Sequence, residues 1–423
     1  MIALSRLAVV AFLAACSTRS VSPEPAVAAA PVPDVSGPFG VITAIAFAPD
    51  GTLFLGDSGT GRLHALTPEV VDNPAAESWY NLKNIHGAIA SRLGTTKDNV
   101  RIRDLAIHPK NQEAYLAVGR AIDDRYASAV VVANQAGDLR ILDLSDGGSS
   151  VAIPGGPADG HVFYGEVPAR DLTITDLEFH DQTLYAAGLS NADFDSTLYA
   201  TPVPFEGEAI KTTVEIFHGV HAQNETRAPI RTMKVVDLGG EPHLVAAYTC
   251  TPLVTIPLSD IDNGAHIVGK TVAELGYGNT PGDMMVFPVA EQGQEPVDMM
   301  LLTNKNRGAQ LIPVASIAQA AEGEGITAPT GLAPVALGAM DIPLTSVIDA
   351  DDQNATVIAV VRRDDYTGDV ELLSYPKGSY LRLSEYQSEY EMPNYSYPES
   401  QQGIKQFHNQ QKPAEGHAAY VKP

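Results

Sequence analysis

The fold of this chain is decided by one stretch, Ile42-Thr-Ala-Ile-Ala-Phe-Ala-Pro-Asp-Gly51, followed by Thr52-Leu-Phe-Leu-Gly-Asp57 and Gly61-Arg-Leu-His-Ala-Leu66. Each segment is a short apolar run bounded by Pro, Gly or Asp, which is typical of a β-strand that ends in a turn. Three such strands in direct succession predict an antiparallel three-stranded sheet.

The same strand–turn–strand–turn–strand pattern recurs five more times. The first strands of these repeats begin at or near Arg103, Thr175, Arg231, Asp283 and Ile342. Strand-rich units that recur every 50–70 residues or so are typical of a β-propeller, whose blades pack face to face around an axis. A β-sandwich would not require this repeat. The predicted fold class is therefore all-β, a β-propeller with six blades, and a seventh blade from residues 38–42 or the C-terminal tail stays open.

One segment has helical periodicity. From Asn84 to Gly94, the apolar residues Ile85, Ala88, Ile89 and Leu93 share one face, and Gly94 supplies a stop signal. This pattern predicts a short helical insertion between blades 1 and 2. An insertion at that point can form a lid over one end of the channel.

The N-terminus has the pattern of a secretory signal peptide. Arg6 precedes an apolar run that ends at Ala15, and this run is too short to span a bilayer stably. Because Cys16 follows Leu-Ala-Ala, residues 1–15 resemble a bacterial lipoprotein signal peptide. The resemblance implies that acyl chains such as palmitate on Cys16 anchor the protein to the membrane. Ser17 follows the cysteine where Asp would suggest retention in the inner membrane, so the outer membrane is favoured. The alternative is an ordinary cleaved signal with an incidental cysteine.

Composition divides the remaining chain. Residues 16–38 are rich in Pro, Ala and Ser and predict a tether, residues 39–383 form the predicted propeller, and residues 384–423 form a polar tail rich in Tyr, Gln and Pro. The protein has 51 acidic and 27 basic residues and a net charge of −24. This acidity argues against a nucleic-acid partner, because phosphate backbones are neutralised by Lys and Arg.

The segment from Phe47 to Asp57 (Phe-Ala-Pro-Asp-Gly-Thr-Leu-Phe-Leu-Gly-Asp) resembles the opening blade of NHL-repeat and SMP-30-like six-bladed propellers. That resemblance implies the architecture and little about activity, because propellers serve as lactonases, dehydrogenases and binding scaffolds. It also implies calcium at the channel axis as a candidate cofactor, with Asp57, Asp176, Asn191, Asp283 and Asn304 as ligands. Relatives with lactonase activity use Glu, Asn and Asp together, and no Glu stands at the start of a blade's first strand here.

Propeller geometry predicts a polar mouth. The starts of first strands and the ends of second strands lie at the same end of a propeller, and many of these positions carry charged or amide side chains. The predicted ligand-binding residues are Asp57, Asp104, Arg120, Asp176, Asn191, Arg231, Asp283, Asn304, Arg307 and Asp341. The alternative for each residue is a structural role, since an Asp at a strand end often caps a turn.

A second group lies in the connection between blades 3 and 4. His218, His221 and Glu225 stand close together in a segment that otherwise predicts a loop, and two imidazoles with a carboxylate are candidate metal ligands. Ordinary hydrogen bonding is the alternative, because the spacing determines no further ligand.

These observations predict a lipid-anchored extracytoplasmic propeller that binds a small polar ligand or an envelope protein and is not an enzyme. The first alternative is a divalent-cation-dependent hydrolase of the SMP-30-like kind, which acts on an ester or lactone. The second is a copper-handling or redox protein that uses His218, His221 and Cys250.

Overall fold

The computed structural model describes residues 39–122, 125–163, 167–249, 251–290, 295–335, 337–378 and 380. Within these ranges the protein is all-β with two short α-helices, which confirms the all-β prediction. The signal peptide (1–15), the tether (16–38) and the tail (384–423) lie outside the described residues, so the expectations about them stay predictions.

The strands are numbered in chain order. They are β1 (Ile42–Phe47), β2 (Leu53–Asp57), β3 (Arg62–Leu66), β4 (Asn81–Leu82), β5 (Val100–Ile107), β6 (Ala114–Ile122), β7 (Arg125–Ala133), β8 (Leu139–Ile141), β9 (Ser149–Ala152), β10 (Val162–Phe163), β11 (Val167–Pro168), β12 (Asp176–His180), β13 (Thr183–Leu189), β14 (Ser196–Pro202), β15 (Ile210–His218), β16 (Gln223–Glu225), β17 (Ile230–Asp237), β18 (Pro242–Tyr248), β19 (Pro252–Pro257), β20 (His266–Glu274), β21 (Pro281–Val289), β22 (Val297–Asn304), β23 (Ala309–Pro313), β24 (Met340–Ile342), β25 (Val347–Asp352), β26 (Val357–Arg363) and β27 (Val370–Pro376). The helices are α1 (Ile85–Arg92) and α2 (Val314–Glu322), and short 3₁₀ turns span Lys97–Asn99, Ala169–Leu172 and Leu258–Asp260.

The described strands form four separate four-stranded sheets, one nine-stranded sheet and a small ribbon. Sheet 1 has the order β1-β2-β3-β9, sheet 2 is β5-β6-β7-β8, sheet 4 is β21-β22-β23-β24 and sheet 5 is β25-β26-β27-β4. Sheet 3 has the order β12-β13-β14-β15-β20-β19-β18-β17, with β16 on β15. Its two antiparallel halves join through one parallel pair, β15 with β20. The ribbon pairs β10 with β11.

The sheets have a propeller-like arrangement. Their inner strands contact one another in a circle, in the order β1, β5, β25, β21, β17, β12 and back to β1. With four separate four-stranded sheets, the structure does not confirm the predicted count of six blades. The circle nevertheless brings residues from distant parts of the chain to one axis.

Two sheets are completed by strands from elsewhere in the chain. The edge strand of sheet 1 is β9, which follows sheet 2 in the sequence, and the edge strand of sheet 5 is β4, which precedes sheet 2. Contacts between inner strands place sheet 2 between sheets 1 and 5 in the circle, and they place sheet 3 on the other side of sheet 1. This interleaving of N-terminal and C-terminal segments closes the ring.

Apolar side chains from neighbouring sheets pack against each other to form the core. Phe54 and Leu63 of sheet 1 lie in one cluster with Ile174 and Tyr199, for example, and all four are fully buried. Burial of a side chain of this size contributes about 1.5–3 kcal/mol. The core therefore lies between sheets and leaves the axis to other side chains.

Helix α1 confirms the predicted helical insertion. Asn84 caps it by accepting a hydrogen bond from the Gly87 backbone N–H at 3.1 Å. Ile85 and Ile89 are buried in the cluster that sheets 2 and 5 share, so the helix fills a gap between sheets and does not form a lid over the channel.

Two features of the structure differ from the sequence-based expectations. Helix α2 was not predicted, although Ile317 and its alanine neighbours form an amphipathic pattern in the sequence. The last repeat begins with β25, whereas the sequence analysis placed its first strand at residues 342–347. Ile342 instead lies in β24, the edge strand of sheet 4.

Candidate functional site

Carboxyl groups from different inner strands converge near the axis. Asp104 of β5, Asp283 of β21 and Asp349 of β25 bring carboxylate oxygens within 4.8 Å of one another. Asp176 of β12 lines the same cavity as Asp104 and Asp283. We call these four residues the axial carboxylates. Three of them, Asp104, Asp176 and Asp283, were predicted as members of one polar site, and the structure brings them together.

Part of the role of the axial carboxylates is structural. Asp104 Oδ2 accepts the Ile45 N–H at 2.5 Å, which links β5 to β1. The same kind of bond links β12 to β17 and β21 to β25. In these, Asp176 accepts from Met233 N at 2.6 Å and Asp283 accepts from Ala350 N at 2.6 Å. A carboxylate at these positions therefore supplies an acceptor for the inner edge of the neighbouring sheet, whose N–H groups need partners.

Burial and repulsion between neighbouring carboxylates raise the pKa values of Asp104, Asp176 and Asp349. Burial, followed by the charge of Asp283, raises the pKa of Asp104 to about 8. The same two causes raise the pKa of Asp176 and of Asp349 well above the usual range. A carboxyl group with a raised pKa holds its proton until a positive charge replaces it. The axis is therefore predisposed to exchange protons for a cation.

Basic side chains partly neutralise the negative charge of the carboxylates around the axis. Lys234 donates to Glu178 Oε2 at 2.9 Å, and the charge of Glu178 is the main reason why the pKa of Lys234 is raised. Lys305 lies in the loop after β22. Desolvation and the charge of Arg231 lower its pKa, whereas the charges of Asp349, Asp283 and Asp104 oppose that shift. The charge of Asp176 acts on Arg231, whose buried Nε has no hydrogen-bond partner among the described residues.

A cavity of about 370 Å³ lies beside the axial carboxylates. Its lining runs along the inner strands from Asp104, Asp176 and Asp283 toward the ends of β1 and β5, where it includes Pro49 and Pro109. The cavity thus opens toward the ends of the first strands, whereas the predicted mouth lies at their starts. Its volume falls within the usual range for a small-molecule site.

Asp351 and Glu178 also line this cavity. Asp351 Oδ2 accepts the Ile107 N–H at 2.7 Å, and burial is the main cause that raises the pKa of Asp351 to about 7. Glu178 Oε1 accepts the Val235 N–H at 3.2 Å. Neither residue was predicted from the sequence, and the same holds for Asp349 and Lys305.

Two predicted ligand-binding residues are turn caps. Asp57 is fully buried and accepts hydrogen bonds from the backbone N–H groups of Gly40, Val41, Gly59 and Thr60 and from the Thr60 hydroxyl. Asn304 Oδ1 accepts from the backbone of Thr280, Asn306 and Arg307. Each is the last residue of a second strand, where a short polar side chain closes the turn that follows. The structural alternative accounts for them.

The remaining predicted members are dispersed. Arg307 donates to the Leu275 carbonyl at 3.1 Å, and exposed Asn191 donates to the Pro157 carbonyl at 2.9 Å. Arg120 lies in the second strand of sheet 2, and its Nε is buried with no hydrogen-bond partner in the part of the chain that the structure describes. Asp341 is on the edge strand β24, where its carboxylate accepts from Gln310, so it lies outside the circle of first strands.

The second predicted cluster does assemble. His218, His221 and Glu225 place possible ligand atoms within 4.8 Å of one another at the β15–β16 hairpin. Burial raises the pKa of Glu225, but hydrogen bonds from Gln223 and His221 and the charges of both histidines outweigh it, so the net shift is downward. Glu225 is therefore held as a carboxylate. Cys250 lies outside the described residues.

Comparison with known proteins identifies no family: no protein-family model matches the chain, and no curated protein matches it significantly. Among solved structures, the chain resembles extracellular domains 1–2 of Drosophila Semaphorin 1b, with 10% identity and a TM-score of 0.34 over 80% of this chain and 87% of that chain. It also resembles a protein described as an oxidoreductase (glucose dehydrogenase) from Thermus thermophilus, with 11% identity and a TM-score of 0.28 over 80% and 98%. These similarities are too weak to support any argument about fold details or activity.

A search of the described residues for membrane spans finds no helix with the length and apolar character needed to cross a bilayer.

Proposed function

We propose that this protein is a lipid-anchored, extracytoplasmic binding protein whose central cavity takes a small polar ligand with a cationic group, without catalysing a reaction. The observation that carries the proposal is the convergence of the axial carboxylates beside a cavity of about 370 Å³. The anchor rests on the sequence of residues 1–16 alone, and so does the outer-membrane location.

The electrostatics of the cavity support a ligand of positive charge. Asp104, Asp176 and Asp283 line the cavity together with Asp351, and Glu178 is paired with Lys234. Opposite charges at about 4 Å attract strongly in a partly buried site, so an ammonium group would be favoured there over a neutral group. The raised pKa values of Asp104 and Asp351 imply that such a ligand displaces protons near pH 7.

A second candidate function uses the same residues. The carboxylate oxygens of Asp104, Asp283 and Asp349 lie within 4.8 Å of one another, and Ca²⁺ prefers several hard oxygen ligands. Calcium would therefore compete with an organic cation for the axis. This ligand set differs from the one expected from the family resemblance, because only Asp283 is common to both.

The proposal also includes the number of blades in the propeller. We take sheet 3 as two blades, β12–β15 and β17–β20, which share a parallel edge, so that the propeller has six. Support comes from the inner strands β12 and β17, each of which has its own place in the circle. The relation to NHL-repeat and SMP-30-like propellers remains a proposal that rests on residues 47–57.

Calorimetric titration of the purified protein tests the function. The probes are putrescine as a diamine, calcium chloride, and glucose as a neutral polar control. We expect putrescine to bind with proton release at pH 7, and Asp283→Asn to weaken its binding about tenfold or more. The substitution keeps one oxygen to accept the Ala350 N–H, so the fold should persist.

Asp72→Asn is the matched control, because Asp72 is exposed and is not among the residues that line the cavity. Equal affinity of Asp283→Asn and the unmodified protein for putrescine would contradict the proposal. Binding of calcium without putrescine would favour the second candidate function.

A further inference from the structure

A short hairpin brings three metal-binding side chains to one place. Strand β15 ends at His218, the chain turns through Gly219 and His221, and β16 pairs back along β15 with His218 opposite Gln223 and Ile216 opposite Glu225. The turn is closed by a hydrogen bond from the Ala222 N–H to the Gly219 carbonyl at 3.2 Å. The cluster therefore forms from local backbone geometry.

The distances within the cluster match a metal site. Nδ1 of His221 is 3.2 Å from Oε1 of Glu225, and Nδ1 of His218 is 3.6 Å from the same oxygen. The two imidazole rings have centroids 4.0 Å apart. With metal–ligand bonds of about 2.0–2.2 Å, tetrahedral geometry places neighbouring ligand atoms about 3.3–3.6 Å apart. The side chains thus already have the spacing that coordination requires.

A chain of buried hydrogen bonds holds the opposite side of the His218 ring. Its Nε2 is 2.8 Å from the Thr251 hydroxyl, and that hydroxyl in turn contacts a carboxylate oxygen of Glu274. His218 is 4% exposed and Glu274 is completely buried. When Nε2–H donates to Thr251 and Thr251 donates to Glu274, Nδ1 of His218 is left as a free electron-pair donor that faces Glu225. Metal-bound histidines are commonly oriented by such an outer partner.

Gly219 completes this outer shell. Its N–H donates to the other oxygen of Glu274 at 2.6 Å. A Cβ at this position would lie 2.8 Å from the Thr330 hydroxyl and 3.0 Å from Glu274, so the close approach requires glycine. Glu274 is therefore a buried carboxylate whose described donors, Thr251 and Gly219, connect it to the hairpin.

The other side of the cluster is open. The side chain of His221 is 49% exposed and that of Glu225 is 25% exposed, whereas the side chain of His218 is 5% exposed. Three protein ligands with one face toward solvent leave a coordination position for water or an external ligand. Two imidazole nitrogens and one carboxylate suit zinc and its neighbours in the first transition row.

We propose that His218, His221 and Glu225 bind one divalent transition-metal ion of the zinc class, with Thr251 and Glu274 as positioning residues and one coordination position open to solvent. This inference goes beyond the cavity proposal and is independent of it, because it uses none of the axial carboxylates. Gln223 donates to Glu225 Oε1 at 2.9 Å and so helps to hold the carboxylate in place.

The test uses the full-length protein, stripped of metal with a chelator and then titrated with zinc. Calorimetry of the stripped protein, and mass spectrometry of the protein reloaded with zinc, should each show one ion per chain. Because His221 is exposed, His221→Ala should fold normally and lose most of the affinity. Thr251→Val should weaken zinc binding about 10- to 100-fold, the usual effect of removing an outer partner. Cobalt substitution should give the visible absorption of a low-coordinate site in the unmodified protein and lose it in His221→Ala.

His266→Ala is the matched control. His266 Nε2 lies 3.6 Å from Glu215 Oε2, but these residues belong to no cluster of three potential ligands within the described chain. Unchanged zinc stoichiometry in His221→Ala, or no stoichiometric zinc in the unmodified protein, would overturn the proposal. Asp283→Asn should leave zinc binding unaffected, so failure of the cavity proposal and failure of this one are distinguishable.

Discussion

The pH dependence of stability should report directly on the axial carboxylates. Burial and Asp283 raise the pKa of Asp104 to about 8, from an ordinary value of 3.8. The folded protein then binds one more proton at Asp104 than the unfolded chain does between these pH values. The free energy of unfolding is therefore highest below the unfolded-state pKa and falls as pH rises through about 8.

The magnitude follows from these two pKa values. One pH unit with one extra bound proton is worth about 1.4 kcal/mol, and the folded state releases half of that proton at pH 8. Between pH 6 and pH 8, Asp104 should therefore lower the free energy of unfolding by about 2 kcal/mol. Asp104→Asn removes the titrating group and keeps one oxygen for the Ile45 N–H.

Denaturant titrations at pH 6, 7 and 8 provide the assay, with the fluorescence of Trp79, the one tryptophan of the chain, as the signal. Asp104→Asn should lose about 2 kcal/mol of the pH dependence. Asp72→Asn, an exposed control, should behave like the unmodified protein. An equal pH dependence in Asp104→Asn and the unmodified protein would refute the reasoning.

Three further predictions follow from other parts of the chain. Asp57→Ala should lower the free energy of unfolding by about 3 kcal/mol, because several buried N–H groups lose their acceptor, and should leave putrescine affinity unchanged in calorimetry. Glu178→Ala should lower the free energy of unfolding by about 2 kcal/mol in denaturant titration, because Lys234 loses its partner and its partial exposure limits the cost. Glu178→Gln should lose less. Cys16→Ser should move the protein from the membrane to the soluble fraction of fractionated cells, and continued membrane association would contradict the lipid assignment.

Sequence patterns were most informative where the contacts are local. Helix α1 was predictable because its apolar periodicity and the Asn84 cap lie within a few residues. The cluster of His218, His221 and Glu225 was predictable for a similar reason, since one hairpin closes it. The turn-capping role of Asp57 was also readable as an alternative, because Asp before Ser-Gly-Thr is a common turn signal.

The site at the axis was only partly predictable. Asp349 and Asp351 lie in β25, whose sequence Val347-Ile-Asp-Ala-Asp-Asp352 has a polar face toward the channel. This sequence lacks the alternation of apolar and polar residues that is typical of a half-buried strand. The apolar pattern therefore favoured residues 342–347 as the first strand of the last repeat. Because this strand was predicted too early in the chain, Asp341 was assigned to the site, although it lies on the edge strand β24.

The amino-acid sequence by itself determined the β-rich repeats, the helical insertion and the local histidine cluster, because alternation, turn residues and short-range contacts act within each segment. Only the tertiary structure decided that β4 and β9 complete distant sheets, that sheet 2 lies between sheets 1 and 5, and that the axial carboxylates meet. The physical reason is that ring closure pairs strand edges and buries apolar faces between segments far apart in the chain, and no local pattern specifies which edges will meet.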